Sequence, residues 1–141
     1  YSLDKQQSSL VYYDKNTIVL TMPYWVKVTN SSVEDSEVKK HSFVLSYDPE
    51  AMTASDTKLK LYISHVVEDA GETVTRSNFT YAYRAYSIRA ALAAFKEKTG
   101  KLPKYLELTA EINNSKDELV DKDGKETSVE RSVEYDYAFT E

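Results

Sequence analysis

The chain has 141 residues, a formal net charge of −5 and no cysteine, with 41% hydrophobic and 29% charged residues. This length and balance predict a single domain, residues 1–141, whose core needs no disulfides. The acidic balance argues against nucleic-acid binding, which requires a basic surface, and the missing thiols exclude cysteine nucleophiles and cysteine-ligated metal sites. No apolar run is long enough to span a bilayer, so no transmembrane segment is predicted.

Tyrosine is unusually frequent, with 12 Tyr against 4 Phe. A tyrosine ring suits half-buried strand faces and contact surfaces, because it combines an apolar body with a hydroxyl group. Together with the many Ser, Thr and Asn residues, this composition favours an exported or cell-surface domain. The chain begins at Tyr1, and we expect that a signal or anchor preceding it has been removed.

The first segment predicts a hairpin. Residues 10–13 are apolar, residues 14–16 have turn chemistry, and residues 17–29 alternate between an apolar and a polar face. Pro23 predicts an edge position or a bulge, because proline cannot donate to a sheet ladder. Trp25 falls on the mainly polar face, where it either packs under a loop or the helix or acts as an exposed contact residue.

Two further alternating segments, 41–47 and 59–67, predict strands that each place a histidine, His41 or His65, on the apolar face beside a serine. Such histidines could meet across a sheet and bind a metal ion, or one could act as base for a serine nucleophile. No third orienting group or recognised motif accompanies them. We therefore favour two ordinary half-buried histidines.

A return strand is predicted over residues 73–84, with Phe79, Tyr81 and Tyr83 on one side. The stretch Tyr81–Tyr86 also fits a helical stripe, but that stripe lies opposite the stripe of the following helix. A continuous helix would be apolar on both sides, so we prefer a strand followed by a helix.

The helix is predicted over about residues 87–99. Its apolar stripe has the spacing i, i+3, i+4, i+7, and consists of Ile88, Ala91, Leu92 and Phe95. Ser87 is the predicted N-cap, and Gly100 can adopt the left-handed conformation that ends a helix. The opposite side, with Arg89, Lys96 and Glu97, is interpreted as solvated surface.

The C-terminal segment predicts two strands around a polar loop, and the last strand places Tyr135 and Tyr137 on its apolar face. Asp121, Asp123 and Glu130 have part of the spacing of a calcium loop. Leu119 would occupy the first ligand position and cannot ligate, so an acidic hairpin turn is favoured. Neither a metal ion nor a cofactor is predicted.

These elements together predict an α+β fold: a single antiparallel sheet of about six or seven strands with one main helix packed on it. The alternation that marks each strand is that of antiparallel sheets with one buried face.

The run Val11-Tyr-Tyr-Asp-Lys-Asn-Thr-Ile18, followed by Trp25-Val-Lys-Val28, resembles the opening of bacterial surface-adhesin protein E-like domains. The resemblance covers about residues 10–67. It implies an antiparallel sheet with a flanking helix, an exported or lipid-anchored bacterial protein, and a non-enzymatic role in binding host matrix. It assigns no binding residues.

Two functions follow from these observations. The first is a non-catalytic exported or cell-surface binding domain that contacts a protein or matrix surface. Its contact candidates are Trp25, Tyr81, Tyr83, Tyr135 and Tyr137. The alternative is a small-ligand-binding domain or a hydrolase with a pocket between helix and sheet, where His65 and a carboxylate would converge. The pattern does not indicate an oligomeric state.

Overall fold

The computed structural model describes residues 10–68, 76, 78–112 and 129–139, which form seven strands, two α-helices and one 3-10 helix. The helices are α1 (Asp35–Val38), α2 (Arg89–Thr99) and the 3-10 helix Pro49–Ala51. The strands are β1 (Leu10–Asp14), β2 (Thr17–Val26), β3 (His41–Ser46), β4 (Lys58–Val67), β5 (Asn78–Ser87), β6 (Tyr105–Ile112) and β7 (Val129–Asp136).

The strands form two sheets, so the predicted single antiparallel sheet is wrong. A three-stranded sheet has the order β1-β2-β5, and a four-stranded sheet has the order β3-β4-β6-β7. Strands β4 and β6 pair in parallel, while the other pairs are antiparallel. Between β4 and β6 the chain builds β5 and α2, which supply the long connection that a parallel pair needs. Alternation identifies the buried face of a strand but not the strand beside it, and this is why the sheet number was mispredicted.

The inner faces of the two sheets pack against each other. The ring of Tyr24 on β2 meets that of Phe43 on β3 edge-on, with centroids 5.2 Å apart. The Tyr86 hydroxyl on β5 donates to the Phe43 carbonyl at 2.9 Å, and the Tyr12 hydroxyl on β1 donates to the Asp136 carbonyl at 2.6 Å. The fully buried side chains between the layers include Ile18, Leu20, Met22, Leu59, Leu61, Leu106 and Leu108.

Pro23 lies in β2, the central strand of its sheet, yet its local surroundings are those of an edge. The pairing of β1 with β2 begins at Leu10 opposite Leu20, so Pro23 lies beyond the described end of β1. Among the described residues it pairs only with Tyr81 of β5. Among the described strands, the missing N–H of proline therefore costs no ladder hydrogen bond on the β1 side.

The stretch Tyr81–Tyr86 belongs to strand β5, which confirms the prediction of a strand followed by a helix. Helix α2 begins later than predicted, at Arg89. Its N-cap residue is Ile88, which makes no side-chain capping hydrogen bond, so the assignment of Ser87 as N-cap is wrong. Ser87 is instead the last residue of β5, because it still pairs with Thr17.

The C-terminal end of α2 is as predicted. Gly100 has φ of 76°, and its N–H bonds the Lys96 carbonyl. The predicted apolar stripe is buried, with Phe95 completely inaccessible to solvent, and α2 packs against β4 and the 3-10 helix. No helix in the described ranges is long and apolar enough to cross a membrane.

Candidate functional site

The outer face of the three-stranded sheet carries three of the predicted contact residues. Tyr81 on β5 lies opposite Pro23 on β2, and residues directly opposite each other share a face. Trp25 and Tyr83 each lie two residues further along these strands, so they share it too. Tyr81 is 56% exposed and Tyr83 is 66% exposed, whereas Trp25 is half-buried. The structure thus brings these three rings onto one surface.

Strand β1 extends this surface with aliphatic groups. Val11 lies opposite Val19 of β2, in the same alternating set as Pro23 and Trp25, and Val11 is largely exposed. We call the set Val11, Val19, Trp25, Tyr81 and Tyr83 the aromatic face. None of these five side chains carries a charge.

The outer face of the four-stranded sheet is different in character. Lys58 on β4 lies 2.6 Å from a carboxylate oxygen of Glu134 on β7 and 3.8 Å from one of Glu107 on β6. The Thr109 and Ser132 hydroxyl groups hydrogen-bond at 2.7 Å on the same face. This surface has the solvated, charge-paired composition of an ordinary outer face, so the aromatic face is a local departure from it.

The other two contact candidates, Tyr135 and Tyr137, lie in the core rather than on a surface. Tyr135 is 8% exposed and Tyr137 is 3% exposed. The Tyr137 hydroxyl donates to the Lys15 carbonyl at 2.7 Å, which fastens the segment after β7 to the β1–β2 turn. The structure does not bring either ring to the aromatic face.

The two histidines meet, as one hypothesis from the sequence allowed. His41 Nδ1 and His65 Nε2 are 2.8 Å apart, and His41 Nε2 lies 3.2 Å from Glu37 Oε1. Arg76 donates to the same carboxylate oxygen of Glu37 through two nitrogens, at 2.8 and 3.1 Å, and the backbone N–H of Lys27 donates to the other oxygen at 2.9 Å. We call Glu37, His41, His65 and Arg76 the histidine network.

The carboxylate of Glu37 fixes the protons of this network. A carboxylate only accepts, so His41 Nε2 carries the proton between them, and a neutral His41 then accepts at Nδ1 from His65 Nε2. Burial is the main cause that lowers the pKa of His65 to about 3, and the positive charge of Arg76 acts in the same direction. Burial would raise the pKa of Glu37, but the hydrogen bonds from Arg76, Lys27 and His41 outweigh it and lower that pKa.

Sequence reasoning missed Glu37 and Arg76. Glu37 falls in a polar segment without alternation, and Arg76 falls in a predicted strand among other polar residues. One signal was present: Glu37 and His41 are separated by four residues, the spacing at which side chains meet across a helical turn. In the structure Glu37 lies in α1, which ends at Val38, and His41 is the first residue of β3.

The histidine network is enclosed by aromatic rings. Phe43 stacks on His65 with centroids 4.5 Å apart and planes 8° apart, and Tyr24 packs its edge against both histidine rings. Ser42 and Ser64 neighbour the histidines in sequence but point to the opposite side of the sheet, as strand alternation requires, and both are exposed. The network therefore does not place a histidine beside either serine.

No group of three or more His, Asp or Glu side chains in the described ranges is arranged to hold a metal ion. Asp121 and Asp123 lie outside the described residues. Glu130, the third member of the calcium-loop spacing, is described and is an exposed residue of β7.

A cleft of about 500 Å³ lies beside helix α2, and we call it the helix cleft. Its walls come from one side of α2, from the β1–β2 turn and from the segment after β7. Neither histidine lines it, so it is not the predicted pocket in which His65 and a carboxylate converge. Arg89 and Lys96, which the sequence assigns to plain solvated surface, are among its lining residues.

The fold of this chain is similar to that of a bacterial protein of known structure. No protein-family model and no curated protein matches the chain. The chain is similar to a crystal structure from Bacteroides fragilis that bears the name "Putative lipoprotein", with a TM-score of 0.78 and 29% sequence identity. The match covers 96% of this chain but 62% of that protein, so this chain spans less than two thirds of its length. The fold described above is thus similar to that of a longer bacterial protein.

Proposed function

We propose that the chain is a non-catalytic, exported binding domain of a bacterial protein, and that the aromatic face is its contact surface for a polypeptide partner. The observation that carries the proposal is the exposure of Tyr81 and Tyr83 beside Trp25 on an uncharged face. Tyrosine and tryptophan are enriched at protein interfaces, and charged residues are depleted from interface centres. The name of the Bacteroides structure supports the exported location.

The non-catalytic part of the proposal is supported by the histidine network. His41, the base beside the Glu37 carboxylate, packs against Tyr24 and hydrogen-bonds His65, and these contacts do not direct it at a nucleophile among the described side chains. A buried ion pair with satisfied hydrogen bonds is adequately explained as a structural clasp between α1, β3 and β4. The resemblance to surface-adhesin protein E-like domains remains a prediction, and a protein or matrix surface remains the partner that it implies.

Strand β5 suggests how the partner binds. Among the described residues it is an edge strand of the three-stranded sheet, and it has ten residues with no proline and one charged residue, Arg84. Edge strands of this kind accept an added strand, because their outer N–H and C=O groups lack a partner strand. An extended segment pairing with β5 would place every second side chain on the aromatic face, next to Tyr81 and Tyr83.

The test uses displayed linear peptides about as long as β5, selected against the wild-type chain. Selected peptides are expected to alternate apolar and polar residues. Their affinity for the variant Tyr81→Asp/Tyr83→Asp is expected to be at least about tenfold lower than for the wild type, because the bound strand would desolvate the new carboxylates. Binding is measured by fluorescence anisotropy of the labelled peptide.

The matched control is Val44→Asp/Val66→Asp, which adds the same charge to two exposed apolar residues on the other outer face. Its affinity is expected to equal that of the wild type. Peptides that bind the tyrosine variant normally, or that lose affinity equally for both variants, would overturn the aromatic face as the contact surface.

A further inference from the structure

Two sides of helix α2 have different roles in the structure. One side buries the stripe that includes Ala91 and Phe95 in the core. A second side, with Arg89, Leu92, Ala93 and Lys96 at the spacing i, i+3, i+4, i+7, lines the helix cleft. The two sides share Leu92, which is buried and lines the cleft.

The cleft has cationic and apolar walls. Three of its lining residues, Lys15, Arg89 and Lys96, are cations, and among the residues that the structure describes no carboxylate lines it. This is notable in a chain with 23 acidic and 18 basic residues. The apolar walls are formed by side chains such as Leu92, Leu102, Tyr137 and Phe139.

The cleft is held open by contacts between its walls. The Ile88 N–H at the start of α2 donates to the Asn16 carbonyl in the β1–β2 turn at 2.7 Å. The Tyr137 hydroxyl donates to the Lys15 carbonyl of the same turn, also at 2.7 Å. The rings of Tyr137 and Phe139 each meet Tyr12 edge-on, at 5.8 and 5.7 Å. The wall from α2 and the wall from the segment after β7 are therefore both bonded to the β1–β2 hairpin, which forms the remaining wall. A ligand would find the site largely formed.

The geometry points to a binding site for a small amphiphilic anion, such as a medium-chain carboxylate. We infer that its carboxylate lies among Lys15, Arg89 and Lys96 while its apolar body lies along Leu92, Leu102 and Phe139. A volume of about 500 Å³ falls in the range of small-molecule sites. Each arginine or lysine contact to a carboxylate is a charge-assisted hydrogen bond, and the apolar wall adds burial of methylene groups. This site is separate from the aromatic face, so it does not depend on the proposed function.

The probe is decanoate, titrated into the ¹⁵N-labelled chain, with decyltrimethylammonium as a cation of the same chain length. Decanoate is expected to shift the amide signals of residues 89–96 and 137–139, and to bind at least about tenfold more tightly than the cation. Equal binding of both probes, no binding of decanoate, or shifts confined to other residues would overturn the proposal.

One double variant reverses the charge of two of the cations, and a second double variant controls for net charge. Arg89→Glu/Lys96→Glu is expected to weaken decanoate binding at least about tenfold. Lys39→Glu/Lys98→Glu makes the same change in net charge at exposed residues that do not line the cleft, and it should bind normally. Equal loss in both double variants would mean that only the overall charge matters, which contradicts a built site.

A third variant tests the cleft itself while keeping its charges. Ala93→Phe places a ring in the cleft from an exposed position of α2. It should abolish the decanoate shifts while the unfolding midpoint in urea stays near that of the wild type. Unchanged binding by this folded variant would show that decanoate lies elsewhere.

Discussion

Glu37 has more influence on the structure than its place in a polar segment suggests. Its carboxylate, almost fully buried, receives hydrogen bonds from Arg76, the Lys27 backbone and His41. Through these bonds one side chain connects α1, the segment after β2, the start of β3 and Arg76. Removing one partner of a buried ion pair leaves the other charge uncompensated, which costs far more than breaking a surface pair.

Glu37→Ala is therefore expected to lower the free energy of unfolding by about 3 kcal/mol at neutral pH. The measurement is urea unfolding followed by circular dichroism. Glu34→Ala is the matched control, since Glu34 precedes α1 and is exposed, and its change should stay within about 0.5 kcal/mol. A similar cost for both variants would show that the Arg76–Glu37 contact contributes little.

The C-terminal end of helix α2 is stabilised by a left-handed glycine and a side-chain hydrogen bond. Gly100 takes the left-handed conformation, and the Thr99 hydroxyl donates to the Phe95 carbonyl at 2.8 Å. A Cβ added at Gly100 would meet no atom within 4 Å, so only the backbone opposes a larger residue there. The end of α2 thus isolates the conformational cost of a positive φ from any steric cost.

Gly100→Ala should cost about 1 kcal/mol of stability, because alanine is strained at this φ. Gly100→Asn should cost less, since asparagine tolerates the left-handed region better than other non-glycine residues. Lys101→Ala, at an exposed neighbouring residue, provides the baseline. Thermal unfolding would reveal the order Gly, Asn, Ala in decreasing stability, and equal midpoints for all three would contradict the backbone argument.

For the whole molecule, the buried histidine makes stability depend on pH. The pKa of His65 is lowered to about 3 in the folded chain, chiefly by burial, from an ordinary value of 6.5. Between these values the unfolded chain binds a proton that the folded chain does not, so stability falls as the pH decreases. Glu37, whose folded pKa is lowered, adds a loss only below about its ordinary value of 4.5.

The free energy of unfolding should therefore already decrease between about pH 6.5 and 4.5, by roughly 2 kcal/mol, before the carboxylates contribute. Urea unfolding at a series of pH values measures this decrease. In His65→Gln this titrating group is absent, so the decrease over the same interval should be smaller than in the wild type. A decrease as large in the variant as in the wild type would contradict the assignment.

The sequence predicts local elements well and their assembly poorly. Alternation located β2 and the strand character of Tyr81–Tyr86, and the helical stripe located α2. The buried and exposed faces of the strands were harder to predict. Tyr81 and Tyr135 both lie on alternating strands, but Tyr81 points to solvent and Tyr135 points into the core. Which face is inner depends on the pairing of distant strands, and a one-dimensional pattern does not contain that pairing.

The candidate sites were likewise predictable only where local sequence patterns determine them. Residue type and alternation selected Trp25, Tyr81 and Tyr83 as contact candidates, but the same criteria also selected Tyr135 and Tyr137, which are buried. The histidine network and the helix cleft need Glu37, Arg76 and Lys15, which distant parts of the chain bring into place. Only the four-residue spacing of Glu37 and His41 was local enough to be recognised beforehand.

The parallel pairing of β4 with β6 has a consequence for the order of folding. Leu59 lies opposite Leu106, and all of β5 and α2 must be synthesised before the two can meet. Until then a β3–β4 hairpin would expose the apolar side chains of β4, and closing so long a loop is slow. For the exported location proposed above, that delay would be useful, because a protein that cannot complete its sheet early stays unfolded longer during translocation.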